Sequence, residues 1–147
     1  MSELKFKFGV PEHGWMALSI TDGEREEVME ISDVPCNSVL RLADILLSLQ
    51  SGSKTEEVEF SLEPDFALWK FIDRSGEMEI HVFPDSGRDK PSVFKGERRK
   101  VINLLYKALR DLESLQCWKD PKAIENIWSW EFPSQELNQF RSRAKSA

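Results

Sequence analysis

A chain of 147 residues that is 40% hydrophobic can bury one core without staples and is too short for two domains of ordinary size. Its net charge of -6 and the lack of any base-stacking motif argue against general nucleic-acid binding. Two cysteines, Cys36 and Cys117, stand far apart in no paired motif, which excludes a disulfide framework or a cysteine zinc site and fits a reduced compartment.

The opening MSELKFKFGVPEHGW lacks the apolar run of a signal peptide. No later stretch approaches the roughly 18 apolar residues of a membrane span. A cytoplasmic protein with no membrane association is expected.

LKFKFGV alternates strictly, with Leu4, Phe6, Phe8 and Val10 on one side and Lys5 and Lys7 on the other, as in a half-buried strand. WMALSIT repeats the pattern with Met16, Leu18 and Ile20 inward. Asp22-Gly23 supplies a hairpin turn, and EEVMEIS reads as the returning strand, its register open. From Asn37 the period changes. Val39, Leu42, Ala43, Leu46, Leu47 and Leu49 recur at helical spacing between a cap at Asn37 or Ser38 and a stop at Gly52.

EVEFSLEPDFALWKFIDRSGEMEIHVF then divides into three strands at a Pro64-Asp65 turn and an Asp73 to Gly76 turn. Pairing Glu63 with Phe66 sets Phe60 opposite Trp69. Pairing Ile72 with Glu77 sets Trp69 opposite Ile80. Both registers send Ala67, Trp69 and Phe71 to the core. The other face then carries Glu57, Glu59, Lys70, Glu77, Glu79 and His81, with Lys70 between Glu59 and Glu79.

PDSGRDKPS is a polar loop, and GERRKVINLLYKALRDLESL a second amphipathic helix with Val101, Leu104, Leu105, Ala108, Leu112 and Leu115 on its stripe. Asp120-Pro121 opens a short helix through Trp128, PSQELNQF a further helical turn, and RSRAKSA a frayed tail. The whole reads as a single α+β domain over residues 1–140 with a flexible basic tail over 141–147. Its antiparallel sheet has about six strands, two long helices pack on one face, and a short helical segment ends the chain.

Three features could carry chemistry. Glu59, Glu79 and His81 on neighbouring strands could ligate a cation or exchange protons, although Lys70 among them repels a metal and no HExxH-like motif supports the set. A salt-bridged, solvated strand face is the simpler explanation. Lys95, Arg98, Arg99 and Lys100 crowd a helix start whose dipole favours negative charge, so an anion from the chain's own strands, a partner or a nucleic acid should compensate. Trp118, Trp128 and Trp130 near the C-terminus serve as core or as interface anchors. His13 reads as a surface turn residue, the scattered glycines form no phosphate loop, and no cofactor, metal or catalytic residue is expected.

Charge is divided along the chain. Up to Asp85 there are 18 acidic and 7 basic residues, and from Ser86 on 8 acidic and 13 basic, so the halves attract each other or charged partners. The succession DVPCNSVLRLADILLSLQSG, VEFSLEPDFALWKFID and GEMEIHVF resembles the small immunity proteins that bacteria pair with polymorphic or contact-dependent toxins. The resemblance covers roughly residues 15 to 115. It implies a non-enzymatic inhibitor that binds a cognate toxin domain, and it transfers no particular binding residue.

The expected function is protein binding through the charged sheet face, with a basic toxin domain as partner. Alternatives are a small enzyme or metal-binding protein using Glu59, Glu79 and His81, and a nucleic-acid accessory factor using Arg98, Arg99 and Lys100. Homodimerisation through Leu68 and Ile72 on the same face is also open.

Overall fold

The computed structural model describes residues 3–87 and 90–146. Arg88 and Asp89 of the expected polar loop, and Ala147 of the expected tail, lie outside the described residues.

Seven antiparallel strands follow one another in sheet order as in sequence: β1 (Lys5–Phe8), β2 (Trp15–Thr21), β3 (Glu26–Ser32), β4 (Thr55–Ser61), β5 (Phe66–Arg74), β6 (Glu77–Phe83) and β7 (Ser92–Glu97). Helix α1 (Ser38–Gln50) connects β3 to β4, and α2 (Arg98–Glu113) follows β7 directly. A 3-10 turn (Gln116–Lys119), the one-turn helix α3 (Ala123–Asn126) and helix α4 (Ser134–Ser146) complete the chain. The α+β class and the single antiparallel sheet agree with the sequence pattern. The strand count exceeds it by one, because SVFKGE leaves the expected loop and the expected helix start to form β7.

Alternation in the strands decides which face is dry. Leu4, just before β1, and Phe6, Met16, Leu18, Ile20, Met29 and Ile31 from the first three strands join Val58, Phe60, Ala67, Trp69, Phe71, Met78, Ile80, Val82 and Phe94 from the rest in one buried cluster. Val10, placed inward by sequence alternation, is exposed because β1 ends at Phe8. In β3 the open register resolves with Met29 and Ile31 buried and Val28 outward.

The helices complete the same core. Val39, Leu42, Ala43, Ile45, Leu46 and Leu49 form the buried stripe of α1, and Val101, Ile102, Leu105, Ala108, Leu109 and Leu112 that of α2. Full burial of each large aliphatic side chain contributes about 1.5–3 kcal/mol. Asn37 caps α1 by accepting from Leu40 N–H at 3.2 Å, and Gly52, at φ 105°, follows its end. Helix α1 packs on β4, α2 on β1, β6 and β7, and α4 lies across both long helices.

Both meander registers differ from the expected ones by two residues. Phe60 lies opposite Ala67, and Trp69 opposite Val58 and Val82. The β5–β6 loop is only Ser75-Gly76, both at positive φ (57° and 96°), which is the geometry of a tight primed hairpin turn, so Asp73 and Arg74 remain in the strand. The β4–β5 loop is wider. Leu62 N–H closes it on Asp65 O at 2.8 Å, and Glu63 leaves the ladder to accept a hydrogen bond from Ser32 Oγ. A shift of two preserves every face, which is why the core assignment held while the partners changed.

Two joints shape the sheet. β3 and β4 meet at one residue pair, Ser32 with Ser61. At the far edge, Arg25 from the β2–β3 turn donates to Val93 O and stacks over Phe94 at 5.4 Å, while Ser92 Oγ donates to Glu27 Oε1 at 2.8 Å. The β2–β3 hairpin therefore reaches the last strand.

The expected tail from residue 141 is corrected to helix. α4 continues to Ser146, with Arg141 Nη1 donating to Tyr106 Oη at 2.9 Å and Phe140 stacked on Tyr106 at 4.9 Å. Among the described residues no helix is long and apolar enough to cross a membrane.

Candidate functional site

The outer face of β4–β7 collects the side chains that alternate away from the core. Glu57 and Glu59 come from β4, Leu68, Lys70, Ile72 and Arg74 from β5, Glu77, Glu79, His81 and Phe83 from β6, and Val93, Lys95 and Glu97 from β7. The six residues expected there are all present. Arg74, Phe83 and Lys95 belong with them and were missed, though the same period of two would have found Arg74 and Phe83; Lys95 required recognition of β7.

The expected ladder of Glu59, Lys70 and Glu79 is not formed. The two-residue register shifts set Lys70 between Glu57 and His81, Glu59 opposite Leu68, and Glu79 between Ile72 and Lys95. Glu79 Oε1 is 2.9 Å from His81 Nε2 and 3.5 Å from Arg74 Nε. Its carboxyl is held below the ordinary range first by the hydrogen bond with His81, then by the nearby positive charges of Arg74 and Lys95. The Lys70 ammonium lies 5.8 Å from the Phe83 ring centre. Leu68 is only 4% exposed, whereas Ile72, Phe83 and Val93 on the same face are half-buried.

A metal at Glu79 and His81 would face Arg74, Lys95 and Lys70, and among the described residues no group of three His, Cys, Asp or Glu side chains could hold one. His13 is exposed in its turn, 3.5 Å from Glu12. Both thiols are partly buried, and burial pushes the Cys36 and Cys117 pKa values up, away from nucleophilic use.

The basic start of α2 is answered within the chain. Glu97 caps the helix, its carboxylate accepting from Arg99 and Lys100 N–H at 3.2 Å each. Arg98 is occupied: Nη1 donates to Asp73 Oδ2 at 2.8 Å, and Nη2 to the carbonyls of Leu49 and Ser53. Of the three residues expected to meet an anion or partner, Arg99 and Lys100 remain exposed, whereas Arg98 is a structural tie.

The C-terminal tryptophans divide. Trp128 is 2% exposed and joins the core. Trp118 and Trp130 line a cleft of about 480 Å³ with Phe132, Ile124 and the polar residues Asp120, Lys122, Glu125 and Glu131. Its wall is tied to the sheet by Asp33, whose Oδ2 accepts from Ser129 N–H at 2.7 Å and whose carbonyl accepts from Trp130 Nε1 at 2.6 Å. Gly14 is required beside it: at φ 82°, an added Cβ would lie 2.9 Å from Asp33 Oδ1. Nothing in the local sequence marks Asp33 for this role, since its partners lie 96 and 97 residues away.

Comparison with protein-family models, with curated proteins and with solved structures yields no match to this chain.

Proposed function

We propose that the domain is a non-enzymatic protein-binding module of the immunity type, which inhibits a basic toxin domain by docking it on the outer face of β4–β7. The observation that carries this reading is the composition of that face. Glu57 and Glu59 on β4 and Glu77 on β6 are exposed on either side of β5, on the face of the sheet opposite its helices. Such a face attracts a positively charged protein and orients it during encounter. Lys70, Arg74 and Lys95, interspersed with the carboxylates, add selectivity by repelling misplaced cations of the wrong partner.

The test is affinity capture from the native organism with tagged protein, followed by identification of the retained chain and its gene neighbourhood, run beside the variant E57K/E59K/E77K. A stoichiometric basic protein retained by the wild type and lost from the folded variant supports docking on this face. Equal retention by a variant with unchanged melting removes the face from the interface.

A further inference from the structure

The cleft between the 3-10 turn, α3 and the segment leading to α4 is lined both by aromatic and apolar side chains and by charged ones. Trp118 is fixed by its own Nε1 donating to Leu112 O at 2.7 Å and by an edge contact with Phe132 at 5.5 Å. Trp130 is fixed by Nε1 donating to Asp33 O, yet the residue remains 37% exposed. Two indoles thus stand at one opening, anchored through their N–H groups and with ring surface left for a ligand. Ile124, 51% exposed, adds an apolar wall.

Charge at the rim is unbalanced. Asp120, Glu125 and Glu131 face a single cation, Lys122. One oxygen of Asp120 is committed to Lys122 N–H at 2.8 Å, whereas the exposed carboxylates of Glu125 and Glu131 have no hydrogen bond or ion pair among the described residues. Aromatic rings sharing a cleft with unpaired carboxylates attract a cation that also carries apolar carbon, because the ring quadrupole, the carboxylate charge and the hydrophobic wall each favour a different part of it.

We propose that this cleft receives a basic side chain, arginine or lysine, projecting from the protein partner. The site deepens the reading above and rests on it for the identity of the partner, but it lies on the C-terminal segment and is built independently of the sheet face. Tryptophan is the side chain most able to anchor such a contact, and these two need little ordering on binding.

The test uses the full chain, the tripeptide acetyl-Gly-Arg-Gly-amide, and the same peptide with neutral citrulline in place of arginine. The readout is the indole N–H resonances of the five tryptophans, assigned with Trp→Phe variants. A saturable shift confined to Trp118 and Trp130, absent with citrulline and weakened about tenfold in E125Q/E131Q, is expected. No shift at these two signals, an equal shift with citrulline, or an undiminished shift in the double variant would overturn the proposal; the second result would mark the cleft as an apolar peptide groove. The E57K/E59K/E77K protein should bind the peptide like the wild type, so failure of the cleft and failure of sheet-face docking are read separately.

Discussion

Arg98 Nη1 lies 2.8 Å from Asp73 Oδ2, joining the first turn of α2 to the end of β5 and the basic half of the chain to the acidic half. The Asp73 side chain is 2% exposed, and its second anchor is Gly76 N–H at 2.7 Å in the β5–β6 turn. The Asp73 carboxyl is held below the usual range, first by that backbone hydrogen bond and then by Arg98, against the opposing effect of burial. A depressed carboxylate contributes stability that is fully present well above the unfolded value of about 3.9 and is lost as pH falls through the lower folded value. Asp73→Asn should therefore melt below the wild type at neutral pH, and the gap should narrow on acidification beneath about pH 4. Thermal unfolding of both proteins across this range checks it; a gap that does not depend on pH would show that the charge of Asp73 contributes nothing.

Asp33→Ala should loosen the tie between the tryptophan segment and the sheet by removing its side-chain half, while the residue-33 carbonyl still accepts from Trp130 Nε1. It leaves Ser129 N–H without its acceptor, for a cost of about 1–3 kcal/mol. Asp33→Asn keeps an acceptor oxygen and should recover most of the loss. Urea unfolding measures both variants against the wild type.

Trp69 is fully buried, touching Phe6 at 6.0 Å and Phe60 at 5.1 Å between ring centres. Trp69→Ala should cost about 3–5 kcal/mol. Its indole N–H has no hydrogen-bond partner, so Trp69→Phe removes an unsatisfied donor together with some packing and should cost clearly less. Equal destabilisation by the two substitutions in denaturant would contradict this division.

Zinc or another divalent cation should leave the melting temperature unchanged, because Arg74 and His81 already occupy Glu79 and Lys95 stands across from it. A ligand of the native state would raise it by mass action. A saturable rise abolished by His81→Ala would restore the metal reading of this face.

Alternation and helical period placed most of the core, because both depend on local spacing alone, but left out Ile45, Ile102, Leu109, Phe94, Leu137 and Phe140 and put the half-buried Leu47, Leu104 and Leu115 on the buried stripes. Met16, Leu18, Leu42, Trp69 and Leu105 are buried as their periods require. Strand partners were not equally legible. The hairpin loops decide them, and Ser75 at positive φ or Glu63 turning aside to Ser32 has no marker strong enough in one sequence to outweigh neighbouring alternatives. β7 was hidden for a related reason: the strand runs without a break into α2, and Glu97, its last residue, is also the helix cap.

The charged face was legible as a set of residues, while its internal pairing was not. Lys70 was placed correctly on the face and given the wrong neighbours, a direct result of the two-residue shift. The aromatic cleft was beyond reach. Trp118, Ile124 and Trp130 share no periodicity, and the two indoles are held from different places, Trp130 by Asp33 O, 97 residues earlier, and Trp118 by Leu112 O.

Arg25 closing on the carbonyl of Val93 bears on how the protein can assemble. β7 is a terminal strand, and an unguarded terminal strand is a template on which another chain can continue the sheet, as in domain exchange or fibril growth. Here a guanidinium from the chain's own second turn occupies part of that template, and Ser92 is tied to Glu27 beside it. Any chain extending the sheet past Val93 must first displace Arg25. Association at this end is thereby biased toward contacts between side chains, leaving the backbone of β7 out of the bargain.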